Sequence, residues 1–406
     1  MRGLEKMLYK TQKEVLNQAK PSYFYNLSTS SGKTLIAIYH YLKHKTDEPL
    51  LFVCPPVKKK SGEIETEIKK VEQYEGININ YEIVASSMLA KKWKEYKGYF
   101  LVLDEAHEFK NSQSKRGKAA FKLSQQSTNF VLLTATAGES WFDFINTFLM
   151  FGFYKNKTQF LREHAEYENL YLGNRTVKKI ASYNGVDKLA SLWESIAISK
   201  KASYFVDLPD TTDKFVNFKP SPIYNKAKKD RVIELDGEEQ ILDTPMKLTS
   251  TLRYLTNQKE KNDYLKMLME STEENIVVFY QFKKERLGIL EIAEKLGKTI
   301  FEVNGQAFKL PTAEEKQNLE NSVTVVQIQS GSAAIELKYA SIVIYFTPTY
   351  SFSQYQQSRG RAVRHGGSEH VTFYKFNTVG TIEEKVWQAL ADKKDFDEKL
   401  YANNLK

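Results

Sequence analysis

The chain has 406 residues and a mass of 46.9 kDa, which at about 150 residues per domain favours two or three domains. Hydrophobic residues make up 41% of the sequence and charged residues 27%, which is a globular composition, while sparse glycine (19) and proline (10) exclude collagen-like and low-complexity arrays. The single cysteine, Cys54, excludes an intramolecular disulfide and a cysteine zinc cluster, and the net charge of +9 suits either a polyanionic partner or an ordinary basic protein.

Strand-like apolar runs alternate with helical patterns in both halves of the chain. In the first half, strands are predicted at Tyr23–Leu27, Leu50–Cys54, Tyr81–Ala85, Tyr99–Asp104 and Phe130–Thr136. In the second half, they are predicted at Ile276–Phe282, Thr299–Val303, Val323–Gln329, Ser341–Phe346 and His370–Phe376. The helices predicted between them include Lys33–Leu42, Glu63–Glu72, Arg286–Leu296 and Ile382–Leu390. Several strands lack polar alternation, as in parallel sheets covered by helices, so the sequence predicts two α/β domains in tandem.

The stretch from about residue 141 to 255 does not show this alternation of strands and helices. It is rich in aromatic and charged residues, with helical patterns at Trp141–Phe151 and Lys188–Ile198, and Pro209 and Pro220 interrupt it. We predict a helical insertion followed by the connection between the two domains.

A phosphate-binding loop is predicted between the first strand and the first helix. The residues expected to surround the phosphates are Ser30, Ser31, Gly32, Lys33 and Thr34. Small side chains allow successive backbone N–H groups to curl around a phosphate at a helix N-terminus. In such a loop Lys33 would reach the β and γ phosphates, and Thr34 would bind Mg²⁺. The alternative is a helix N-cap that is merely rich in Ser and Thr.

An acidic pair ends the fourth predicted strand, about 70 residues after the loop. Asp104 and Glu105 follow the apolar run that begins at Tyr99. Open α/β sheets hold ligands at the carboxyl ends of their strands. Asp104 would hold the water shell of Mg²⁺, and Glu105 would orient and deprotonate an attacking water. The alternative is a strand end capped by solvated acids.

Four short motifs follow one another along the chain: Gly-Lys-Thr at 32–34, Asp-Glu-Ala-His (a DEAH box) at 104–107, Thr-Ala-Thr at 134–136 and Gln-Ser-Arg-Gly-Arg-Ala-Val-Arg at 357–364. They occur in the order found in superfamily two helicases and translocases, which the chain resembles over most of its length. The resemblance implies two tandem RecA-like P-loop domains with a helical insertion between them. It also implies that ATP and Mg²⁺ bind between the lobes and that nucleic acid lies across both.

The resemblance is closer to the Swi/Snf-type branch, the chromatin-remodeller-like ATPases. The segments that carry it are Leu51–Pro56, the extension of the acidic box through Lys115, Trp141–Phe153 and Asp207–Pro209. The chain departs from that branch in the segment 331–337 and at Gly360, where remodellers often have aspartate. From its length we expect no histone-reading domains, and the chain looks like a minimal stand-alone motor, of the sort encoded by bacteriophages and mobile elements.

The domain boundaries expected from this resemblance divide the chain into three parts. Residues 1–205 form the N-terminal ATP-binding lobe, with the insertion from about residue 141. Residues 206–255 form the connection between the lobes, and residues 256–406 form the C-terminal helicase lobe.

The resemblance also assigns roles outside the loop and the acidic pair. Gln12 would read the adenine edge, and His107 and Gln357 would contact the nucleotide site. Arg361 and Arg364 are three residues apart, so on a helix they would share a face and act as arginine fingers on the γ-phosphate. The alternative for the arginines is a basic helix packed against acids or nucleic acid, and for Gln12 it is a surface position.

Nucleic-acid contacts are expected in both lobes. Members of the family contact the nucleic-acid backbone with residues that correspond here to Lys58, Lys59, Lys60, Ser330 and Ser332. Lysines there would neutralise phosphates and make binding depend on salt. An ordinary solvated charge run is the alternative.

Three functions are compatible with these motifs. The first is a DNA helicase or double-stranded DNA translocase serving DNA replication or recombination, and the second is an RNA helicase. The third is a nucleic-acid-binding scaffold with a vestigial ATPase. The extension of the acidic box favours the DNA-directed branch.

The location and oligomeric state are expectations from composition and resemblance. No run approaches the roughly 18 apolar residues of a membrane span, and the first 16 residues lack the apolar region of a signal peptide. We therefore expect a monomer in the cytoplasm of a bacterial or phage-infected cell, with no membrane partner. His40 and His44 have helical spacing but no third ligand nearby, so we expect no zinc site.

Overall fold

The structure, a computed structural model, describes residues 7–392 apart from 30, 139, 173–174, 206, 236–237, 257, 313 and 332–334. The chain divides into two compact units, Met1–Asp207 and Leu208–Lys406. Each contains one large, mainly parallel sheet with helices on its faces, as the alternating pattern predicts.

The first unit is built on a six-stranded parallel sheet with the order β3-β2-β4-β5-β1-β8. Its strands are β1 (Tyr23–Leu27), β2 (Leu50–Cys54), β3 (Tyr81–Ala85), β4 (Phe100–Asp104), β5 (Phe130–Thr134) and β8 (Ala197–Lys200). Alternate residues of β2 enter opposite cores: Phe52 packs on one face, and Leu51 and Val53 on the other. This burial on both faces explains why the strand is apolar throughout.

Helices cover both faces of this sheet. They are α1 (Lys10–Gln18), α2 (Lys33–His44), α3 (Pro56–Ser61), α4 (Glu63–Glu75), α5 (Leu89–Lys92) and α6 (Lys115–Gln126). Leu16, Ile36 and Ile68 bring α1, α2 and α4 into one core, whereas Leu89 and Leu123 bring α5 and α6 into the other. Because all the strands are parallel, their carboxyl ends lie at one edge, where the site residues follow.

His40 on α2 is fully buried in the first core and makes two hydrogen bonds. Its Nδ1 atom lies 2.7 Å from the Tyr25 hydroxyl, and its Nε2 atom lies 3.0 Å from the main-chain oxygen of Pro21. A carbonyl can only accept, so Nε2 carries the proton and Nδ1 accepts from the hydroxyl. Burial lowers the pKa of His40 to about 3.

We expect this histidine to make the chain less stable in acid. Below pH 6.5 the unfolded chain binds a proton that the folded chain refuses, so the free energy of unfolding falls as the pH drops toward 3. The contribution is at most about 1.4 kcal/mol per pH unit. Urea unfolding between pH 7.5 and 5 should show a shallower pH dependence in His40→Gln, although that variant is less stable throughout. An equally steep dependence would assign the effect to other groups.

The segment after β5 differs from the predicted helical insertion. It contains α7 (Ile145–Met150), α8 (Lys157–His164) and α9 (Val186–Ile196), and also an antiparallel hairpin of β6 (Ala165–Leu172) and β7 (Arg175–Tyr183). The predicted helices are therefore present, but the insertion is not helical throughout, because the prediction lacked the hairpin. The hairpin has no apolar run because its described side chains are mostly polar and exposed, so sequence patterning does not reveal it. Phe148, Phe160 and Leu189 form the core of this segment.

The second unit is built on a seven-stranded sheet with the order β14-β13-β15-β12-β16-β17-β9, parallel except for β14. Its strands are β9 (Asp210–Phe218), β12 (Ile276–Tyr280), β13 (Thr299–Val303), β14 (Phe308–Lys309), β15 (Ser322–Gln327), β16 (Ile342–Tyr345) and β17 (His370–Thr378). A small hairpin joins β10 (Val232–Leu235) to β11 (Glu238–Ile241). The helices are α10 (Pro222–Asp230), α11 (Pro245–Tyr254), α12 (Gln258–Glu270), α13 (Lys283–Lys295), α14 (Ile328–Gly331), α15 (Phe352–Ala362) and α16 (Ile382–Ala391).

Residues 208–255 belong to this second unit, which corrects the prediction that 206–255 form a separate connection. Strand β9 pairs with β17 over nine residues, and Tyr224 and Leu252 are buried in the core of the unit. β9 is an edge strand whose residues are mostly exposed, so it lacks the apolar run that marks the central strands.

A buried ion pair ties two helices of the second unit together. The Lys261 ammonium on α12 contacts the Glu383 carboxylate on α16, and it also donates to the main-chain oxygen of Phe346 at 3.1 Å. The other Glu383 oxygen accepts the Thr378 N–H at 2.9 Å. Because both charges are fully buried, removing one partner alone should cost about 3–5 kcal/mol.

Among the residues that the structure describes, no helix combines the length and the apolar character that a membrane crossing requires.

Candidate nucleotide site

The predicted phosphate loop connects β1 to α2 at the carboxyl edge of the first sheet. Gly32, just before α2, has a φ of +74°, a left-handed conformation that glycine adopts without strain. The Lys33 ammonium lies inside the loop and donates to the main-chain oxygens of Leu27 (2.9 Å) and Ser28 (3.3 Å). Thr34 lies in the first turn of α2, and Ser30 lies outside the described residues.

The side chain of Gln12 on α1 stabilises this loop through a hydrogen bond. Its Nε2 atom donates to the main-chain oxygen of Ser31 at 3.0 Å, and its Oε1 atom accepts the Tyr9 N–H at 2.9 Å. A Cβ added to Gly32 would lie 2.4 Å from Gln12 Nε2, so the amide would have to move, and the left-handed backbone would strain any other residue at this position. The adenine contact implied for Gln12 stays a prediction, and the structure adds a second role in holding the loop.

The acidic pair lies at the same edge, at the end of β4. Asp104 is 1% exposed, and its Oδ1 atom accepts the Glu105 N–H at 3.0 Å. β4 and β1 are both bonded to β5, so the parallel sheet places this pair on the same edge as the phosphate loop.

Glu105 has an unusual backbone. Its φ of 52° and ψ of 54° lie in the left-handed region, which costs a residue other than glycine about 1–3 kcal/mol. A short 3₁₀ helix, Ala106–Phe109, begins directly after it. Such conformations persist where the surrounding structure enforces them, and they cluster at functional sites. The sequence contains no signal for this feature.

Lys58, the first residue of the lysine run, also lies in this site. It is 8% exposed, and its ammonium is 2.6 Å from Asp104 Oδ2. The prediction that Lys58 contacts nucleic acid was therefore wrong, because its charge faces the acidic box. Lys59 and Lys60, on the same helix α3, are exposed. A signal was present in the topology, since β2 and β4 are neighbours and α3 begins right after β2.

The charges around Glu105 favour its ionised form. Burial alone would raise the pKa of this carboxyl, but a hydrogen bond from His107 and the charges of Lys33 and Lys58 outweigh it and lower the pKa to about 2. Glu105 is therefore a carboxylate at neutral pH, suited to accept a hydrogen bond from a water and to orient it. Burial raises the pKa of the neighbouring Cys54 thiol to about 12, which makes it unreactive.

A histidine links the acidic box to the end of β5. His107 Nδ1 lies 3.3 Å from Glu105 Oε2 and 3.2 Å from the Thr134 hydroxyl, which accepts the Thr136 N–H at 3.0 Å. A hydroxyl of the Thr-Ala-Thr motif thus contacts the histidine of the acidic box. His107 is thus held in the nucleotide site of the first unit.

The predicted arginine fingers lie in the second unit, at the end of α15. Arg361 is 7% exposed and belongs to the helix, which ends at Ala362. Arg364 lies beyond that end, and its Nε atom donates to the main-chain oxygen of Gly360 at 3.1 Å. The expectation that one helix face presents both residues is therefore wrong. Gln357 is buried on the same helix.

The remaining predicted positions are tested only in part. Ser330 lies in the short helix α14, but its side chain is outside the description, and Ser332 lies outside the described residues altogether. Arg359 is explained without a ligand, since it pairs with Asp213 and its guanidinium lies 3.8 Å from the centre of the Phe373 ring.

The first unit contains a donor set that fits Mg²⁺ and a nucleotide. Asp104 offers a carboxylate and Thr34 a hydroxyl, both hard oxygen ligands of the kind Mg²⁺ prefers. Within the described parts of the chain, no group of three or more His, Cys, Asp or Glu residues could hold a metal ion. A site with one carboxylate is typical of Mg²⁺ that is bound together with substrate phosphates.

Two family models match the chain. The model described as SNF2-related domain matches residues 31–265, and the model of the helicase conserved C-terminal domain matches residues 260–366. The first alone spans more than half of the 406 residues.

Individual relatives are similar at a lower level. An uncharacterised ATP-dependent helicase of Mycoplasma pneumoniae is 25% identical over 92% of this chain and 40% of its own length. A bovine DNA excision repair protein named ERCC-6-like is 31% identical over 31% of this chain and 10% of its own length. A crystal structure of the C-terminal part of the Fun30 ATPase domain is also similar, with 14% identity and a TM-score of 0.38. The match includes 49% of this chain and 96% of the chain in the crystal structure. The chain thus spans less than half the length of the curated relatives it matches.

Proposed function

The chain belongs to the SNF2-related family, and on that premise we propose that it is an ATP-driven motor that acts on DNA. The observation that carries the proposal is the edge of the first sheet, where Lys33 lies in a phosphate loop beside a buried acidic pair. Membership of the family confirms the predicted Swi/Snf-type resemblance and two tandem RecA-like lobes. The phage-like origin and the stand-alone character stay predictions.

Each of these residues of the first unit has its own role in binding or hydrolysing ATP. The left-handed turn at Gly32 exposes the N-terminus of α2, where backbone N–H groups bind phosphate, and Lys33 adds a positive charge. Thr34 and Asp104 would hold Mg²⁺, whose chemistry when bound is to neutralise charge on the phosphate oxygens. Glu105 orients the attacking water and accepts its proton. Arg361 and Arg364 of the second unit stabilise the charge that develops on the γ-phosphate.

DNA is proposed as the polymer because of charge and resemblance. Residues 1–207 hold 31 of the 59 Lys and Arg residues and 22 of the 50 Asp and Glu residues, so the first unit carries the whole excess of +9. A positive surface attracts the phosphate backbone and makes binding depend on salt. The bovine relative is named a DNA excision repair protein, which favours DNA over RNA.

The two exposed lysines of α3 should account for part of this binding. Replacing Lys59 and Lys60 with Ala should reduce the slope of log affinity against log salt by about 1.8 on duplex DNA, because two phosphate contacts are lost. Fluorescence anisotropy at several salt concentrations measures this slope. The matched control is Lys69→Ala with Lys70→Ala on α4, since both lysines already pair with glutamates. Equal slopes in the two double variants would remove α3 from the DNA contact.

One experiment separates the candidate functions. ATP hydrolysis is measured in parallel without polymer and with single-stranded DNA, duplex DNA, forked DNA and RNA. We expect Mg²⁺-dependent hydrolysis that duplex or forked DNA stimulates most. Stimulation by RNA alone would favour the RNA helicase, and polymer binding without hydrolysis would favour the scaffold.

A further inference from the structure

The ion pair between Lys58 and Asp104 puts a positive side chain on the carboxylate that would hold the metal. The Lys58 ammonium and Asp104 Oδ2 are 2.6 Å apart, with side-chain exposures of 10% and 1%. Neither charge is screened by bulk water, so their mutual attraction is strong and the loss of either would leave the other uncompensated.

The charged groups that act most strongly on Lys58 are acidic. Its ammonium donates a hydrogen bond to Asp104 Oδ2, and the charges of Glu105 and Glu63 also attract it. Together with Lys33, it balances the two acids of the box. Lys58 therefore supplies, from within the chain, positive charge of the kind that a metal ion would supply.

We propose that Lys58 is a built-in counter-cation of Asp104, which keeps the affinity for divalent metal low until nucleotide is bound. The inference rests on the proposed function, because it concerns the same site. Metal and Lys58 compete for one carboxylate, and the phosphates of a nucleotide add the negative charge that shifts this competition toward the metal. Lys58 is thus a positioning residue, which acts on the metal through Asp104.

The geometry predicts in which direction the metal affinity changes when the charge of Lys58 is removed. Asp104 Oδ1 accepts the Glu105 N–H and Oδ2 contacts Lys58, so both oxygens already have partners. A divalent ion must displace the ammonium or bind close to it, and in either arrangement the lysine opposes the ion. Removing the charge of Lys58 must therefore strengthen metal binding, whereas a lysine that only supported the shape of the site would weaken metal binding when removed.

The test uses the full-length chain with Lys58→Met, which keeps most of the side-chain volume and removes the charge. Mn²⁺ replaces Mg²⁺ as the probe, and its binding is measured from the loss of the free-ion paramagnetic resonance signal, with and without ADP. We expect Lys58→Met to bind Mn²⁺ at least about tenfold more tightly without ADP, and to gain less from ADP than the parent chain does. Unchanged or weaker Mn²⁺ binding without ADP would overturn the proposal.

Two controls keep the result interpretable. Lys58→Arg retains the charge and should keep the parent affinity for Mn²⁺. Val57→Ala, on the same helix but with an exposed side chain, should also leave Mn²⁺ affinity unchanged. If both controls bind as tightly as Lys58→Met, the effect comes from disturbance of α3, and the proposal fails.

A stability cycle covers the case in which Lys58→Met folds poorly. In EDTA, Lys58→Met alone should lower the melting temperature by roughly 6–20 °C, because Asp104 is left buried without its partner. Adding Asp104→Asn should restore most of that loss, whereas additive losses would show that the two residues do not interact. The cycle needs neither metal nor ATP, so a chain that shows the coupling but never hydrolyses ATP would refute the proposed function and leave the ion pair established.

Discussion

Replacing Glu105 with Gln should lower ATP turnover by about 10²–10⁴-fold without weakening nucleotide binding. Gln keeps the size of the side chain, and the main-chain hydrogen bond to Asp104 does not depend on the side chain. What is lost is the negative charge that accepts the proton of the attacking water. Single-turnover hydrolysis and nucleotide affinity are measured on the same preparation.

A second variant shows that the two parts of the site act differently. Lys33→Ala should also abolish turnover, but it should weaken ATP binding, because the lysine lies inside the phosphate loop. Hydrolysis at the parent rate in either variant would refute the assignment of the site. Loss of affinity in Glu105→Gln would mean that this carboxylate supports the loop rather than the reaction.

The central strands were predictable because they are buried on both faces. β2 and β12 are apolar at every position, and their predicted bounds agree with the structure within two residues. The edge strands β8 and β9 and the hairpin of β6 and β7 were not predicted. Their solvent-facing positions carry polar residues, so the apolar run that identifies a strand is absent.

The site also combines features that the sequence predicts with features that it does not. Parallel strands share one carboxyl edge, so the order of the motifs was enough to predict that Lys33 and Asp104 lie together. The left-handed backbone of Glu105 and the pairing of Lys58 depend on three-dimensional context. A lysine run looks the same whether its first member is buried against an acid or exposed, and only the adjacency of β2 and β4 distinguishes the two cases.

Replacing Arg364 with Ala should remove DNA-stimulated hydrolysis, by about 10³-fold or more, while ATP binding stays nearly unchanged. In the proposed site the ground-state contacts to ATP come from the loop and the acidic box of the first unit, whereas the arginine would act on charge that develops in the transition state. Arg364 lies beyond the end of α15 and is only partly buried, so its removal should leave the fold of the second unit intact. Nucleotide affinity and DNA-stimulated turnover are measured together, which separates a loss of binding from a loss of catalysis.

Two arginines of α15, Arg361 and Arg359, provide comparison variants for Arg364→Ala. Arg361 is 7% exposed, so Arg361→Ala should lower both turnover and the stability of the second unit. Arg359→Ala breaks the pair with Asp213 and the contact with Phe373, so it should lower stability but leave turnover per folded molecule unchanged. Unchanged stimulation in Arg364→Ala would assign the finger to Arg361 alone. If nucleotide affinity and turnover fall together in Arg364→Ala, the arginine has a structural role, because a group that acts only in the transition state cannot weaken the ground-state complex.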